Sequence, residues 1–129
     1  MKNLAIIGRI LFALPIGLMG INHFIMTPVF TEQLKCSLIP NGVFTILISG
    51  LMLLIVSLSI LFNKYTKIAC LWLAGLLFLF IITIHIPGLF STESNVAQWA
   101  FIQLLKDTSL MGGAILLSVL LGCSTNKAD

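Results

Sequence analysis

The stretch VFTILISGLMLLIVSLSILF, from Val43 to Phe62, decides the reading of this chain. It carries no charge from end to end. A helix needs about 20 predominantly apolar residues to cross the hydrocarbon core of a bilayer. Backbone N–H and C=O groups find no partners in lipid, so a run of this kind must close its hydrogen bonds on itself as a helix. The segment Pro40-Asn41-Gly42 ahead of it supplies a helix-start signal.

Three more segments have the same character. Leu4 to Met26 is interrupted only by Arg9, Ile68 to Ile86 is stopped by Pro87-Gly88, and Val96 to Leu121 contains Lys106 and Asp107. Met1-Lys2-Asn3 ahead of an apolar run resembles a secretory signal, but Leu4–Met26 exceeds an h-region of about 7–15 residues and no small-residue cleavage site follows it. The expected fold is therefore all-α: one domain over residues 1–129, an integral membrane bundle of four transmembrane helices spanning about 4–26, 43–62, 68–86 and 96–121.

Composition agrees. Of the 129 residues, 59% are hydrophobic and 9% charged, against about 25% charged in a soluble domain. Too little polar surface exists to face water, so the bilayer is the solvent. A net charge of +3, scattered along the chain, excludes nucleic-acid binding and instead reports orientation. Lys2, Lys64, Lys67 and Lys127 fall on one side of a four-span chain, whereas Glu32, Lys35 and Glu93 fall on the other. The positive-inside rule places both termini in the cytoplasm, and a bacterial inner membrane is the expected location. Trp99, near the outer start of the fourth span, suits an interfacial anchor.

The first outer loop, Thr27 to Gly42, is longer than a hairpin requires, and Val29, Phe30, Leu34 and Leu38 are spaced for a short amphipathic helix. It can lie on the membrane surface or fold back over the bundle; a plain surface helix is the simpler expectation. Ala13/Gly17, Ser109/Gly113 and Ala114/Ser118 have the small-xxx-small spacing that lets helices approach closely. Cys36, Cys70 and Cys123 are far apart and make no redox or zinc pair, and Cys70 reads as a small core residue. Leu120-Leu121-Gly122-Cys123 looks like a lipoprotein site at the wrong end of the chain, an accident.

Charged groups in a span cost about 2.5–3.5 kcal/mol each near the bilayer centre, so intramembrane polar residues are the natural place to seek function. They are Arg9, Asn22, His23, His85, Lys106 and Asp107. All but Arg9 fall in the outer half, where residues from three helices can meet in one outward-facing cavity. Arg9 and His23 lie about 40° apart around the first helix, on a face with Phe12, Ile16 and Gly20. Asp107 shares its face with Met111, Ala114 and Ser118. Lys106 and Asp107, adjacent in sequence, do not face each other on a helix and each needs a partner elsewhere; His23 or His85 could serve Asp107. Structural roles stand beside these. Lys106 and Arg9 can snorkel to headgroups, His85 can be an interfacial cap, and Asp107 can form a purely structural ion pair. No metal site is expected, because the histidines and carboxylate have no i, i+3 or i, i+4 pairing. Motifs for nucleophilic catalysis are lacking as well.

Gly8-Arg9-Ile10-Leu11-Phe12 with Gly20-Ile21-Asn22-His23-Phe24, the outer loop ending in Pro40, Ser49-Gly50, His85 followed by Pro87, and Leu105-Lys106-Asp107-Thr108-Ser109-Leu110-Met111-Gly112-Gly113-Ala114 together resemble the DoxX family of four-helix membrane proteins over essentially the whole chain. That family is named for a subunit linked to a membrane thiosulfate:quinone oxidoreductase in sulfur-oxidising archaea, and other members are associated with oxidative-stress complexes or quinone-related detoxification. The resemblance implies an accessory subunit of a membrane redox or quinone-linked system, with a quinone as the possible cofactor and a protein partner in the membrane. In that reading His23 or His85 donates a hydrogen bond to a quinone head group and Asp107 accepts a proton. The alternatives are a structural or chaperone-like partner subunit without catalysis, with Lys106 and Asp107 locking the bundle, or a small transporter that forms its path as a homo-oligomer. The lack of an inverted repeat counts against the transporter.

Overall fold

The computed structural model describes residues 1–35, 38 and 42–125. Cys36, Pro40, Asn41 and Lys127 lie outside the described residues, as does the side chain of Cys123. Described secondary structure is helical throughout: α1 (Lys2–Ile25), α2 (Thr27–Leu34), α3 (Gly42–Leu61), α4 (Thr66–Phe80), a π-helical turn (Ile81–His85), α5 (Ile86–Leu89) and α6 (Ser94–Thr125). Four stretches are long and apolar enough to span a membrane: Lys2–Ile25, Gly42–Leu61, Thr66–Leu89 and Ser94–Leu121. At about 1.5 Å per residue even the shortest reaches about 30 Å, the hydrocarbon thickness.

The helices are sorted by face. On α1, Leu4, Ile7, Leu11, Leu14 and Leu18 point outward and are half or more exposed, a surface suited to lipid. The opposite face buries Ala13, Ile16, Gly17, Gly20 and His23, chiefly against α3. Two contacts set that crossing. Ser57 Oγ on α3 donates to the Ala13 carbonyl at 2.8 Å, and a Cβ on Gly17 would stand 2.6 Å from the same Oγ. Higher up, a Cβ on Gly20 would meet the Gly50 carbonyl oxygen at 2.8 Å, and one on Gly50 would meet His23 Cβ at 2.8 Å. Glycine at both positions lets the backbones close, and the side chain seated at the crossing is His23.

α4 packs along α6 and more lightly on α3. The core runs through Ala13, Ile16, Leu53, Ile60, Leu73 and Ala114, with Cys70 fully enclosed within it. On α6, Ala114 and Ser118 are buried at the helix contact, whereas Ser109 is exposed; of the two small pairs on this span only the second packs as a pair. Gly113 instead accommodates the Phe12 ring, 3.0 Å from where a Cβ would sit. A tight reversal joins α3 to α4, with Asn63 (φ 54°) and Tyr65 (φ 56°) both left-handed.

One expectation is corrected. The third span does not stop at Pro87-Gly88. Proline has no N–H, so the Thr83 carbonyl four residues earlier loses its helical donor. The chain widens there: the Ile86 N–H bonds back five residues to the Ile81 carbonyl, and the Leu38 N–H, from between α2 and α3, donates to Thr83 O at 3.1 Å. Pro87 then falls in the first turn of α5, where no N–H is required. α2 packs back onto α3 and α1, one of the two placements open to the first outer loop. Phe30 stacks on the His23 ring with centroids 4.5 Å apart, Leu34 is buried, and Val29 and Leu38 remain exposed.

Candidate functional site

The π turn ends on His85, and the widened register directs its ring inward, where it is 8% exposed. Single π turns inside helices often mark functional positions. Across from it, Asp107 on α6 is 3% exposed, and its Oδ2 lies 2.7 Å from His85 Nε2. An ionised carboxylate only accepts hydrogen bonds, so with Asp107 ionised the shared hydrogen sits on Nε2 and Nδ1 becomes the acceptor of the ring.

Lys106 and Asp107 do face each other, against the helical expectation. The lysine stem is long enough to fold back, which puts Nζ 3.4 Å from Asp107 Oδ1. That approach lacks hydrogen-bond geometry: Oδ1 is buried and accepts no hydrogen bond from the protein. The ammonium also reaches α1, 3.9 Å from Met19 Sδ. His23 belongs to the same neighbourhood. Its Nδ1 is 2.7 Å from the Met19 carbonyl oxygen, and because a carbonyl cannot donate, Nδ1 carries the hydrogen and Nε2 is the acceptor in the neutral ring.

These side chains border a small, partly open chamber of about 70 Å³ lined by Met19, His23, Ser49, His85, Lys106 and Asp107, among others. Beyond it, toward the end of the bundle that carries α2 and the α5–α6 connection, opens a vestibule of about 600 Å³ walled by Glu32, Lys35, Glu93, Asn95, Trp99 and neighbouring residues. Ile84, His85 and Gln103 border both spaces, whereas Asp107 borders only the inner one. His85 is thus part of a wall one side chain thick.

Four residues singled out in the sequence, His23, His85, Lys106 and Asp107, come together here. Asn22 does not: it is exposed, one residue and about 100° away from His23. Arg9 is half-buried in the other half of α1, its Nε enclosed without a hydrogen-bond partner, and lines neither space. Residues the sequence reading passed over are Gln103, Ser49 and Met19. Gln103 carried a usable signal, since it stands four residues before Asp107 and so shares its face. Trp99, expected as an interfacial anchor, also walls the vestibule. Among the described residues no group of three or more His, Cys, Asp or Glu side chains is gathered tightly enough for a metal ion.

Chemically, the arrangement is an imidazole with one nitrogen tied to a buried carboxylate and its ring at the edge of an accessible space. Such a pair can take a proton from a ligand and stabilise the imidazolium that results, the division of labour of a base and its orienting acid. The chain matches no known protein family, no curated protein and no solved structure.

Proposed function

We propose that this is a DoxX-like membrane protein that binds a quinone-type head group in the vestibule and exchanges a proton with it, as an accessory subunit of a membrane redox system. The observation that supports this reading is the place of His85, whose ring borders the vestibule while its Nε2 is held 2.7 Å from buried Asp107. A vestibule of about 600 Å³ has room for a bicyclic or substituted monocyclic ring. Trp99 offers a flat apolar surface, Gln103 and Lys35 offer donors to ring oxygens, and His85 Nδ1 offers an acceptor to a ring hydroxyl. With the head group in its hydroxyl form, His85 Nδ1 accepts the O–H proton and Asp107 stabilises the charged imidazole. The electrons pass to a redox partner protein in the membrane. In this reading both termini are cytoplasmic, the vestibule opens on the opposite side, and the membrane is the bacterial cytoplasmic one.

Trp99 fluorescence tests it, in a Trp72→Phe background because Trp72 lies on another face of the bundle. Anaerobic titration of the protein in nanodiscs with short-tailed ubiquinol and menaquinol analogues should quench Trp99 saturably, at least tenfold more weakly in His85→Phe. Quenching that never saturates, or that is the same in both proteins, overturns the proposal.

A second reading, a structural subunit, is favoured by one feature: the His85–Asp107 hydrogen bond also ties two spans together. In that case a double apolar replacement of the pair would leave the partner complex intact and fully active.

A further inference from the structure

The inner chamber holds groups that head-group binding does not use. Asp107 Oδ1 is buried and takes no hydrogen bond from the protein. The Lys106 ammonium has three donors, yet its neighbours are that oxygen at 3.4 Å and a thioether sulfur at 3.9 Å. His23 has committed Nδ1–H to the Met19 carbonyl, which leaves Nε2 as an acceptor on a ring only 7% exposed. Asp107 Oδ1, the Lys106 ammonium and the His23 ring border one space of about 70 Å³, and Oδ1 is the buried atom there that takes no hydrogen bond. A water molecule occupies about 30 Å³ in the liquid, so the space admits a short file of waters, and the buried Asp107 Oδ1 gives such waters a polar anchor in an otherwise largely apolar wall.

We propose that the chamber holds a short water chain joining Asp107 Oδ1 to His23 Nε2, with Lys106 donating into it, and that His23 is a second proton-accepting station behind His85. The source of the proton rests on the head-group reading; the water chain does not. When His85 Nδ1 takes a proton, the imidazolium forms against Asp107; for the relay, its Nε2–H bond breaks and an O–H bond forms at Asp107 Oδ2. The carboxyl turns about Cβ–Cγ to bring that O–H to the water side, the O–H breaks toward the first water, a water O–H is handed on, and an N–H bond forms at His23 Nε2. Asp107 ends as a carboxylate and His23 as an imidazolium, and no electrons move. The titratable groups facing the chamber are His23 from α1, His85 from the π turn, and Lys106 and Asp107 from α6. α3 contributes Thr45, Ile46 and Ser49, and α2 Phe30 and Leu34, none of which titrates in this range.

The test is water-edited solid-state NMR on the full chain in lipid bilayers, with histidine and isoleucine labelled and no quinone present. Magnetisation from water should reach the His23 ring at least threefold faster than Ile60, which is fully buried. Replacing Ser49 with leucine, to fill the chamber, should abolish that difference. His23 no better reached than Ile60 in the unaltered protein overturns the proposal. Should Ser49→Leu not fold, the Asp107 carboxyl infrared band, assigned with Asp107→Asn, gives a second measurement. A band shifted by His23→Phe supports the water chain, and an unshifted band overturns it. A dry chamber would leave quinone binding in the vestibule untouched, and failure of quinone binding would leave the NMR result untouched.

Discussion

The imidazole of His85 and the carboxylate of Asp107, brought from two different spans, share a 2.7 Å hydrogen bond that is almost sealed from the surroundings. Removing one partner of a buried pair strands the other, at a cost of about 3–5 kcal/mol, whereas replacing both with apolar groups is often close to neutral. Asp107→Leu should therefore destabilise the protein by an amount of that order, measured by thermal or denaturant unfolding in detergent. Adding His85→Phe should recover part of the loss. Full recovery is not expected, because Lys106 also loses its nearest negative charge.

Gly50 should be far less replaceable than glycines on the lipid face. A Cβ at Gly50 would press on His23 Cβ and the Gly20 carbonyl, at 2.8 and 3.0 Å. Overpacking of this kind costs about 1–3 kcal/mol. Gly75→Ala and Gly112→Ala meet nothing within 4 Å and should be neutral or stabilising by up to about 1 kcal/mol, through helix propensity. Parallel melting curves of the three variants check the ranking, and equal melting points would refute it.

Pro87→Ala should narrow the π turn. The restored N–H can reach the Thr83 carbonyl, which competes with the donor from Leu38. Hydrogen exchange at the Leu38 amide should speed up, and the His85–Asp107 contact should lengthen as the ring turns with the tightened helix. Unchanged protection at Leu38 would show that the proline does not govern that bond.

Orientation can be read directly. Single cysteines at Lys67 and at Glu93, in a background stripped of the native cysteines, should respond oppositely to a membrane-impermeant thiol reagent added to intact cells. Position 93 should be labelled and position 67 protected. The reverse pattern would invert the topology.

Much of the fold was legible because lipid imposes a simple rule: an uncharged run such as Val43–Phe62 has no other way to satisfy its backbone. The site was legible in part for a related reason. Burying His23, His85 or Asp107 is expensive enough that each had to find company. What sequence could not separate were residues whose fate depends on rotation about a helix axis, so that Asn22 faces outward while His23 faces in. Nor could it show Lys106 bending back toward its neighbour, since the reach of a flexible stem overrides the divergence of adjacent positions. The passage of the third span through Pro87 depended on a donor forty-nine positions earlier, at Leu38, and no local pattern encodes such a partner.

That donor has a consequence for how the molecule is put together. Leu38 leaves the ribosome well before Thr83 exists, so the bond between them cannot close until the third span has been threaded into the bilayer. Until then the Leu38 N–H must find another acceptor, such as water. A chain truncated before the third span should therefore insert without this tie between the first half of the sequence and the second.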